Sequence, residues 1–588
     1  MRHNTTHRRT VFAITTLTAL LGTNTEMFAQ KKRQPNVILV MTDDQGYGDI
    51  AVHGNKMINT PNLDTLHGQS VRFTDFHVDP TCSPTRAALM SGRYSTRTGV
   101  WHTIMGRSLM RTEEVTIAEV LRGGGYRTGM FGKWHLGENY PLRPMDQGFD
   151  YVVRHGGGGV GQGPDYWGND YFDDTYWRNG VPEKFKGYCT DIWFDEAIAF
   201  VKRNKDRPFF CYVSTNAPHG PLNVAAKWSE PYVKKGVAPS QAKFYGMIEN
   251  IDWNLGRLGK VLDQQGLIDN TIFIFMTDNG TASGRVNGKL VRQGKWGGFN
   301  AGMKGNKGSE FDGGHRVPCF VRWPAGGIGG DKARDEDYLC AHIDLLPTIA
   351  GLCSVQRPGR PKIDGVDLSQ RLKDKTAALP DRTLFVHSQR IPDPRKWRKC
   401  AVMTKRWRLV NGKELYDMDA DPGQRTKVQD AHPKVVARLI AAYDAWWESL
   451  SVVFGKPVHI GLGSDAETST QLHPHDWQVK GQKSSSWHQN HVRNGHMGQG
   501  KWFVDVLRAG KYRIELRRWP RQLDRAIDAK HARITIAGLD VDHAVKTDAK
   551  QTTFEVALPK GTTTLQTWLT LANDKTRGAY FVYVSRVP

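Results

Sequence analysis

The sequence predicts an α/β fold: a mixed, mostly parallel sheet flanked by helices, followed by a small antiparallel α+β subdomain and a C-terminal β-sandwich. The first part of the chain contains continuous apolar runs that each end in polar residues, as strands buried on both faces do. Stretches with helical periodicity separate these runs. Beyond residue 384 the pattern changes to short alternating strands. A chain of 588 residues is long enough for these three parts.

Residues 1–30 have the features of a secretory signal. Arginines precede an apolar run at residues 11–22, and Met27-Phe28-Ala29 follows as an imperfect cleavage site. The run is too short to cross a bilayer, and no later stretch is long enough. We therefore expect a signal peptide, export to the periplasm or secretion, and a mature protein that does not span the membrane.

Two of the apolar runs end in oxygen-bearing side chains. Residues 35–41 predict a buried parallel strand that leads to Asp43 and Asp44. Residues 271–276 predict another, which leads to Asp278 and Asn279. Acidic pairs also occur in simple turns, but the carboxyl ends of strands are where α/β sheets bind ligands. Oxygen donors alone suit a hard cation such as Ca²⁺, whereas a pair of zinc ions would need histidine as well.

A cysteine motif follows the first strand. It consists of Cys82-Ser83-Pro84-Thr85-Arg86 and is closed by Ser91-Gly92-Arg93. A lone cysteine is usually a small buried hydrophobe. Here Pro84 follows two residues after Cys82 and Arg86 four residues after it, and further motifs follow. This pattern favours a chemical role for Cys82.

Two later strands also end in residues that can transfer protons. Residues 126–131 lead into Gly132-Lys133-Trp134-His135-Leu136-Gly137, whose glycines allow the backbone to approach a ligand closely. A solvated lysine and a packing histidine are the alternative there. Residues 208–213 lead to Pro218-His219.

A last motif, residues 304–318, contains Lys304, Lys307 and Asp312. Helices are predicted at residues 117–122, 191–204, 244–265 and 433–450, with one starting at residue 344. Further strands are predicted at residues 319–324, 407–410 and 414–417, and alternating apolar positions between residues 504 and 585 predict the strands of the sandwich.

Taken in chain order, these motifs resemble those of the formylglycine-dependent sulfatases of the alkaline-phosphatase superfamily over about residues 35–450. In that family the cysteine is oxidised to formylglycine, whose hydrate carries two hydroxyls on one carbon. One hydroxyl attacks sulfur, and deprotonation of the other expels sulfate by elimination. The resemblance implies an alkaline-phosphatase-like fold and makes Cys82 the formylglycine precursor.

The resemblance also implies roles for the other motif residues. Lys133 would bind sulfate and the aldehyde hydrate, and His135 would take the proton that starts the elimination. His219 would donate a proton to the leaving alcohol, and Arg86 would hold the hydrate. Lys307 aligns with a sulfate-binding lysine, although Lys304 is close by, and Asp312 stands where the family usually has glutamate. The implied calcium ligands are Asp43, Asp44, the modified Cys82, Asp278 and Asn279.

The net charge of +22 and a pI of about 9.6 suit a polyanionic partner. Basic residues are spread along the chain and no nucleic-acid-binding signature is present, whereas a sulfated polysaccharide meets the same electrostatic description. A charge that serves only solubility is the alternative. Together with the resemblance, this makes a sulfated carbohydrate the expected substrate, with galactose-type units favoured. A sulfatase-maturating enzyme is the expected partner during biogenesis. Two rival hypotheses remain: a polyanion-binding protein with unmodified Cys82 and no turnover, and a phosphohydrolase that uses Zn²⁺.

Two unusual segments complete the analysis. The glycine-rich stretch at residues 155–163 lacks the spacing of a phosphate loop, and is predicted to be either a loop over the site or a surface turn. The His/Trp-rich stretch at residues 473–496 is predicted to pack on the catalytic domain rather than to bind a metal. Seven scattered cysteines predict no disulfide framework, with Cys211 and Cys319 as core thiols.

The predicted organisation is therefore a signal peptide at residues 1–30, a catalytic domain at 31–383, an antiparallel subdomain at 384–455 and a β-sandwich-like domain at 456–588.

Overall fold

The computed structural model describes residues 1, 33–283, 285–286, 289–290, 298–479 and 485–587. Apart from Met1, the predicted signal peptide lies outside these residues.

A large sheet runs through the first part of the chain, in the order β13-β2-β12-β9-β1-β8-β4-β5-β6-β7. The central strands β9, β1, β8, β4 and β5 are parallel, whereas β12 pairs antiparallel with both β9 and β2. The predicted fold class, a mixed and mostly parallel sheet, is confirmed. The strands up to this point are β1 (Asn36–Thr42), β2 (Val71–Phe73), β3 (Phe76–His77), β4 (Arg127–Gly132), β5 (Tyr151–Arg154), β6 (Thr175–Arg178), β7 (Val181–Lys184), β8 (Phe209–Ser214), β9 (Thr271–Thr277), β10 (Arg285–Val286), β11 (Lys289–Leu290), β12 (Cys319–Arg322), β13 (Arg334–Glu336) and β14 (Cys340–Ala341).

Helices cover both faces of this sheet. Alternate residues of β1 enter two separate cores: Val37 and Leu39 pack with one helix layer, and Ile38 packs with the other. This explains why the strand is apolar throughout. The helices are α1 (Pro61–Gly68), α2 (Cys82–Ser91), α3 (Ile117–Gly123), α4 (Cys189–Arg203), α5 (Ala226–Lys234), α6 (Pro239–Gln264), α7 (Asp312–His315), α8 (Leu345–Leu352) and α9 (Ser369–Lys373).

The predicted boundaries are close to the observed ones, with one clear difference. Helix α6 begins at Pro239, five residues before the predicted start at residue 244. Proline is well suited to the first turn of a helix, where its missing N–H has no partner to lose. No helix among the described residues is long and apolar enough to cross a membrane.

The small subdomain is an antiparallel sheet covered by one helix. Strands β15 (Leu384–His387), β16 (Cys400–Met403), β17 (Trp407–Val410) and β18 (Glu414–Asp417) pair in sequence order. Helix α10 (Pro433–Ser451) packs on them through Leu439, Tyr443 and Trp446.

The C-terminal part contains two sheets around one core. The first has the order β19-β21-β26-β23-β24, with β27 beside β26, and the second has the order β20-β28-β22-β25. Inward residues of β21 and β22, such as Trp502 and Ile514, share this core, as expected for a sandwich. The elements are β19 (Ile460–Leu462), β20 (Ser469–Leu472), α11 (Gln489–Arg493), β21 (Lys501–Val506), β22 (Gly510–Arg517), β23 (His531–Ile536), β24 (Leu539–Ala544), β25 (Thr552–Leu558), β26 (Gly561–Thr570), β27 (Thr576–Arg577) and β28 (Phe581–Arg586).

All seven cysteines are buried free thiols, and Cys211 and Cys319 lie within β8 and β12 as the sequence predicted.

Candidate active site

The parallel strands at the centre of the sheet end side by side. In the strand register Thr42 of β1 pairs with Thr277 of β9, and Gly132 of β4 pairs with Ser214 of β8. The residues that follow these positions therefore emerge at one edge of the sheet. This register is the reason that motifs far apart in sequence meet in one site.

Three buried carboxylates converge at this edge. Single oxygens of Asp43, Asp44 and Asp278 all lie within 4.8 Å of one another. The backbone N–H of Asp44 donates to Asp278 Oδ1 at 3.0 Å, and Nδ2 of Asn279 donates to Asp44 Oδ1 at 3.0 Å. Burial and the neighbouring charge of Asp43 raise the pKa of Asp278 to about 7.

Two oxygens in this cluster have no hydrogen-bond partner within the described part of the chain. They are Asp43 Oδ1 and Asn279 Oδ1, and both are fully buried. A buried acceptor without a donor is costly, and a group of acids repels itself unless a cation compensates. The oxygen-only donor set fits Ca²⁺ by these criteria.

Cys82 is the first residue of α2 and is buried beside this cluster. Its Sγ, an oxygen of Asp43 and a ring nitrogen of His219 all lie within 4.8 Å of one another. Arg86 lies one helical turn later, where the i, i+4 spacing places it on the same face. Its Nη2 donates to Asp278 Oδ2 at 2.8 Å, and its Nη1 contacts the hydroxyl of Ser214 and the carbonyl of Lys133.

Two lysines neutralise the acids. Nζ of Lys133 lies 2.5 Å from Asp43 Oδ2, and Nζ of Lys307 lies 2.5 Å from Asp44 Oδ1. Burial alone would raise the pKa of Asp44, but the charges of Lys307 and His219 hold it below its ordinary value. Lys304 lies elsewhere, with Nζ 3.2 Å from the Tyr416 hydroxyl. The structure therefore brings Lys307, not Lys304, to the cluster.

Two histidines are held by backbone carbonyls. Nε2 of His135 lies 2.9 Å from the carbonyl oxygen of Thr103, and Nδ1 of His219 lies 2.7 Å from that of Gly220. The other ring nitrogen of His219, Nε2, lies 3.9 Å from Asp44 Oδ2. Burial and the charge of Lys133 hold the pKa of His135 well below its usual value, while burial and Lys307 lower that of His219 to about 4.

Known proteins share this arrangement of sequence and fold. The family model described as "Sulfatase" matches residues 35–355. The chain belongs to the sulfatase family.

Named relatives agree with this. Human arylsulfatase A is 31% identical over 423 residues, which cover 66% of this chain and 78% of that protein. An N-acetylgalactosamine-6-O-sulfatase of Bacteroides thetaiotaomicron is 28% identical and covers 70% of this chain and 92% of its own length. The crystal structure of Ps i-CgsB in complex with k-i-k-neocarrahexaose superimposes with a TM-score of 0.62 at 28% identity, covering 70% of this chain and 93% of that one. This chain is therefore a sulfuric ester hydrolase of the alkaline-phosphatase superfamily.

A glycine-rich loop covers the two histidines of this sulfatase. A side chain at Gly158 would collide with the ring of His135, and a Cβ at Gly159 would lie 3.0 Å from the ring of His219. Only glycine allows the loop to approach so closely. Of the two predictions for this segment, the loop over the site is correct.

The sulfatase site opens into a cavity of about 560 Å³. Its wall includes Cys82, His135, His219, Lys307 and Gly158, but also Arg390, Trp487 and His488, which the sequence did not identify as site residues. The aromatic and histidine content of residues 473–496 was the only signal for the last two. Arg390 belongs to none of the motifs, so no sequence pattern indicated that it lines the cavity.

Asp312 lies away from this cavity. Its Oδ1 accepts from Arg408 Nε at 3.2 Å, and Nη2 of Arg408 also reaches Asp75 Oδ1 at 2.8 Å. His77 is within hydrogen-bond distance of Asp75. The aspartate that replaces the family's usual glutamate thus belongs to a buried ion-pair network, which ties the sheet of the small subdomain to the catalytic core.

Proposed function

We propose that this sulfatase hydrolyses sulfate esters of carbohydrates, with formylglycine derived from Cys82 and with bound Ca²⁺. The observation that carries the proposal is the meeting of Cys82, an oxygen-only acidic cluster and two lysines beside a cavity that Cys82 and two histidines line. Cleavage of a sulfate ester needs positive charge beside the sulfate and proton transfer to and from oxygen, and these groups would supply both.

The acidic cluster supports calcium as the metal. Asp43, Asp44, Asp278 and Asn279 would hold it, together with the modified side chain at position 82. Bound Ca²⁺ would supply positive charge beside the sulfate oxygens, and the aldehyde hydrate would supply a nucleophilic hydroxyl. The unpartnered oxygens of Asp43 and Asn279 favour this assignment over an empty, self-repelling cluster.

The remaining residues would act on the ester directly. Lys133 and Lys307 would neutralise the sulfate oxygens, and Arg86 would hold the hydrate in place. His135 would accept a proton at Nδ1, because Nε2 is used by the Thr103 carbonyl. His219 would donate a proton from Nε2 to the leaving alcohol in its imidazolium form, because Nδ1 keeps its hydrogen for the Gly220 carbonyl. The negative charge of a bound sulfate ester would favour that form and oppose the lowering of the His219 pKa by burial and Lys307.

A carbohydrate substrate is supported by the cavity, by the charge and by the relatives. The cavity has room for sugar units as well as the sulfate group, and an indole, Trp487, forms part of its wall. The net charge of +22 favours a polyanionic chain. One relative is an N-acetylgalactosamine-6-O-sulfatase, and another was crystallised with k-i-k-neocarrahexaose. These two relatives favour galactose-type units as the substrate.

The proposal extends to biogenesis and organisation. We propose that residues 1–30 direct export to the periplasm or outside the cell, and that a sulfatase-maturating enzyme oxidises Cys82. We also propose the domain division at residues 383/384 and 455/456.

The test is production with and without a maturating enzyme, followed by peptide mass spectrometry at Cys82 and a panel of defined sulfated mono- and oligosaccharides. We expect an aldehyde at position 82 and sulfate release from sugars only in the co-produced protein. Full activity with an unmodified thiol would overturn the formylglycine proposal, and turnover of aryl sulfates alone would overturn the carbohydrate proposal.

A further inference from the structure

Residues 485–493, in the proposed C-terminal domain, are joined to the glycine-rich loop over the site. The backbone N–H of Gly163 donates to the carbonyl oxygen of Trp487 at 2.8 Å, and that of Gln489 donates to Gly161 at 3.0 Å. Gln162 and His488 form an antiparallel bridge between these contacts. The C-terminal domain thus supplies part of the wall of the catalytic cavity.

Gln489 fixes this wall. Its side chain is buried, with 1% exposed, and Nε2 lies 3.2 Å from the carbonyl oxygens of Gln162, Asp165 and Tyr166. Its Oε1 accepts from the backbone N–H of Gly168 at 3.1 Å. The side-chain amide of Gln489 thus binds the loop between Gln162 and Gly168 at both ends. These bonds hold residues 487–493 in position relative to His135 and His219.

Arg493 stands on this wall as an exposed cation that lines the cavity. Its guanidinium lies over the ring of Trp167, 4.7 Å from the centroid, and Nη1 donates to Asn490 Oδ1 at 2.7 Å. No carboxylate within the described residues forms an ion pair with it. The stacking holds the planar group in place while leaving donors free.

Arg390 lines the same cavity from the small subdomain side. Its backbone N–H donates to the carbonyl oxygen of Trp101, and its guanidinium also has no ion-pair partner in the described part of the chain. Among the charged residues that line the cavity, Asp170 is the carboxylate, and Lys307 belongs to the proposed sulfate-cleaving centre beside Asp44. The two arginines are therefore the cations of the cavity wall that lie outside that centre.

We propose that Arg493 and Arg390 form a subsite for a second anionic group, sulfate or carboxylate, on a sugar adjoining the one whose sulfate is cleaved. This inference rests on the proposed action on sulfated carbohydrates. A guanidinium presents a planar pair of donors that matches either oxyanion, and an unpaired cation in a cleft stabilises an anion more than one at an open surface does. Substrates that carry only one charged group would leave this subsite unused.

The test compares three oligosaccharides that differ only in the neighbouring sugar, which carries sulfate, carboxylate or neither. The formylglycine-containing enzyme should give a higher kcat/KM for the charged neighbours. In Arg493→Gln and Arg390→Gln the ratio of kcat/KM between charged and uncharged neighbours should fall about 10- to 100-fold, as loss of a hydrogen bond to a charged group predicts. The sulfate and carboxylate arms identify which anion the subsite prefers.

Arg525→Gln is the matched control. Arg525 is also exposed and stacked on a tryptophan of the same domain, 4.9 Å from the ring centroid of Trp519, but it does not line the cavity. Its ratio should equal that of the wild type. Equal kcat/KM for all three oligosaccharides in the wild type, or equal ratios in all variants, would overturn the subsite. Absence of sulfate release from every oligosaccharide, with aryl sulfate still cleaved, would instead refute the proposed carbohydrate substrate.

Discussion

Nε2 of His135 donates to the backbone carbonyl oxygen of Thr103 at 2.9 Å. Because a carbonyl oxygen only accepts, this contact places the ring hydrogen on Nε2. Nδ1 is then unprotonated, and it is buried without a hydrogen-bond partner among the described residues. A lone pair held in this way is suited to remove a proton from a group beside it.

His135→Ala should therefore block regeneration of the enzyme more than the first cleavage. We expect steady turnover to fall by about 10²- to 10⁴-fold, the usual contribution of a general base. A rapid-quench experiment should then show a burst of one equivalent of alcohol per active site. Slow release without a burst, in protein with a full aldehyde content, would contradict this role.

His219→Ala should have an effect that depends on the leaving group. A sugar alkoxide is a poor leaving group and needs its proton in the transition state, whereas a nitrophenolate leaves almost unaided. We expect turnover of a sulfated sugar to fall by about 10²- to 10⁴-fold and that of nitrophenyl sulfate by much less. Equal losses on both substrates would mean that His219 binds sulfate or shapes the pocket.

The sequence could predict the centre of the site because its residues follow buried strands. Asp43, Lys133 and Asp278 each come directly after a parallel strand, and the register of such strands brings their ends together. Long apolar runs also predicted the strands themselves to within a few residues.

The outer parts of the site depend on contacts that no local pattern encodes. The side chain of Gln489 contacts the carbonyl oxygen of Gln162 across 327 positions, and Arg408 contacts Asp312 across 96. The antiparallel pairing of β12 beside β9 also joins segments that are distant in sequence. Such contacts are fixed by the packing of whole domains, so neither Arg390 nor the Trp487 wall could be derived from spacing.

Lys307 and Lys304 offer a matched pair of variants. Lys307 is half-buried and paired with Asp44, whereas Lys304 lies over the ring of Phe311, 3.9 Å from its centroid. We expect Lys307→Ala to lower kcat/KM by about 10²- to 10³-fold, as loss of one charge aimed at developing charge does. Lys304→Ala should remain within a few-fold of the wild type in the same assay. A larger loss in Lys304→Ala, with the unfolding temperature unchanged, would reverse the assignment.

Removal of metal should abolish activity and lower stability together. Three carboxylates and an amide meet at one buried point, and burial together with the neighbouring charge of Asp43 raises the pKa of Asp278 to about 7. A cation that binds only the folded state stabilises it, by about 2.7 kcal/mol at a concentration one hundred times Kd. Chelation should therefore lower the unfolding temperature and stop sulfate release, and Ca²⁺ should restore both.

Asn279→Ala, which removes one oxygen ligand but no charge, should raise the Ca²⁺ concentration needed for recovery. Recovery with Zn²⁺ alone, accompanied by faster hydrolysis of phosphate esters than of sulfate esters, would refute the calcium assignment.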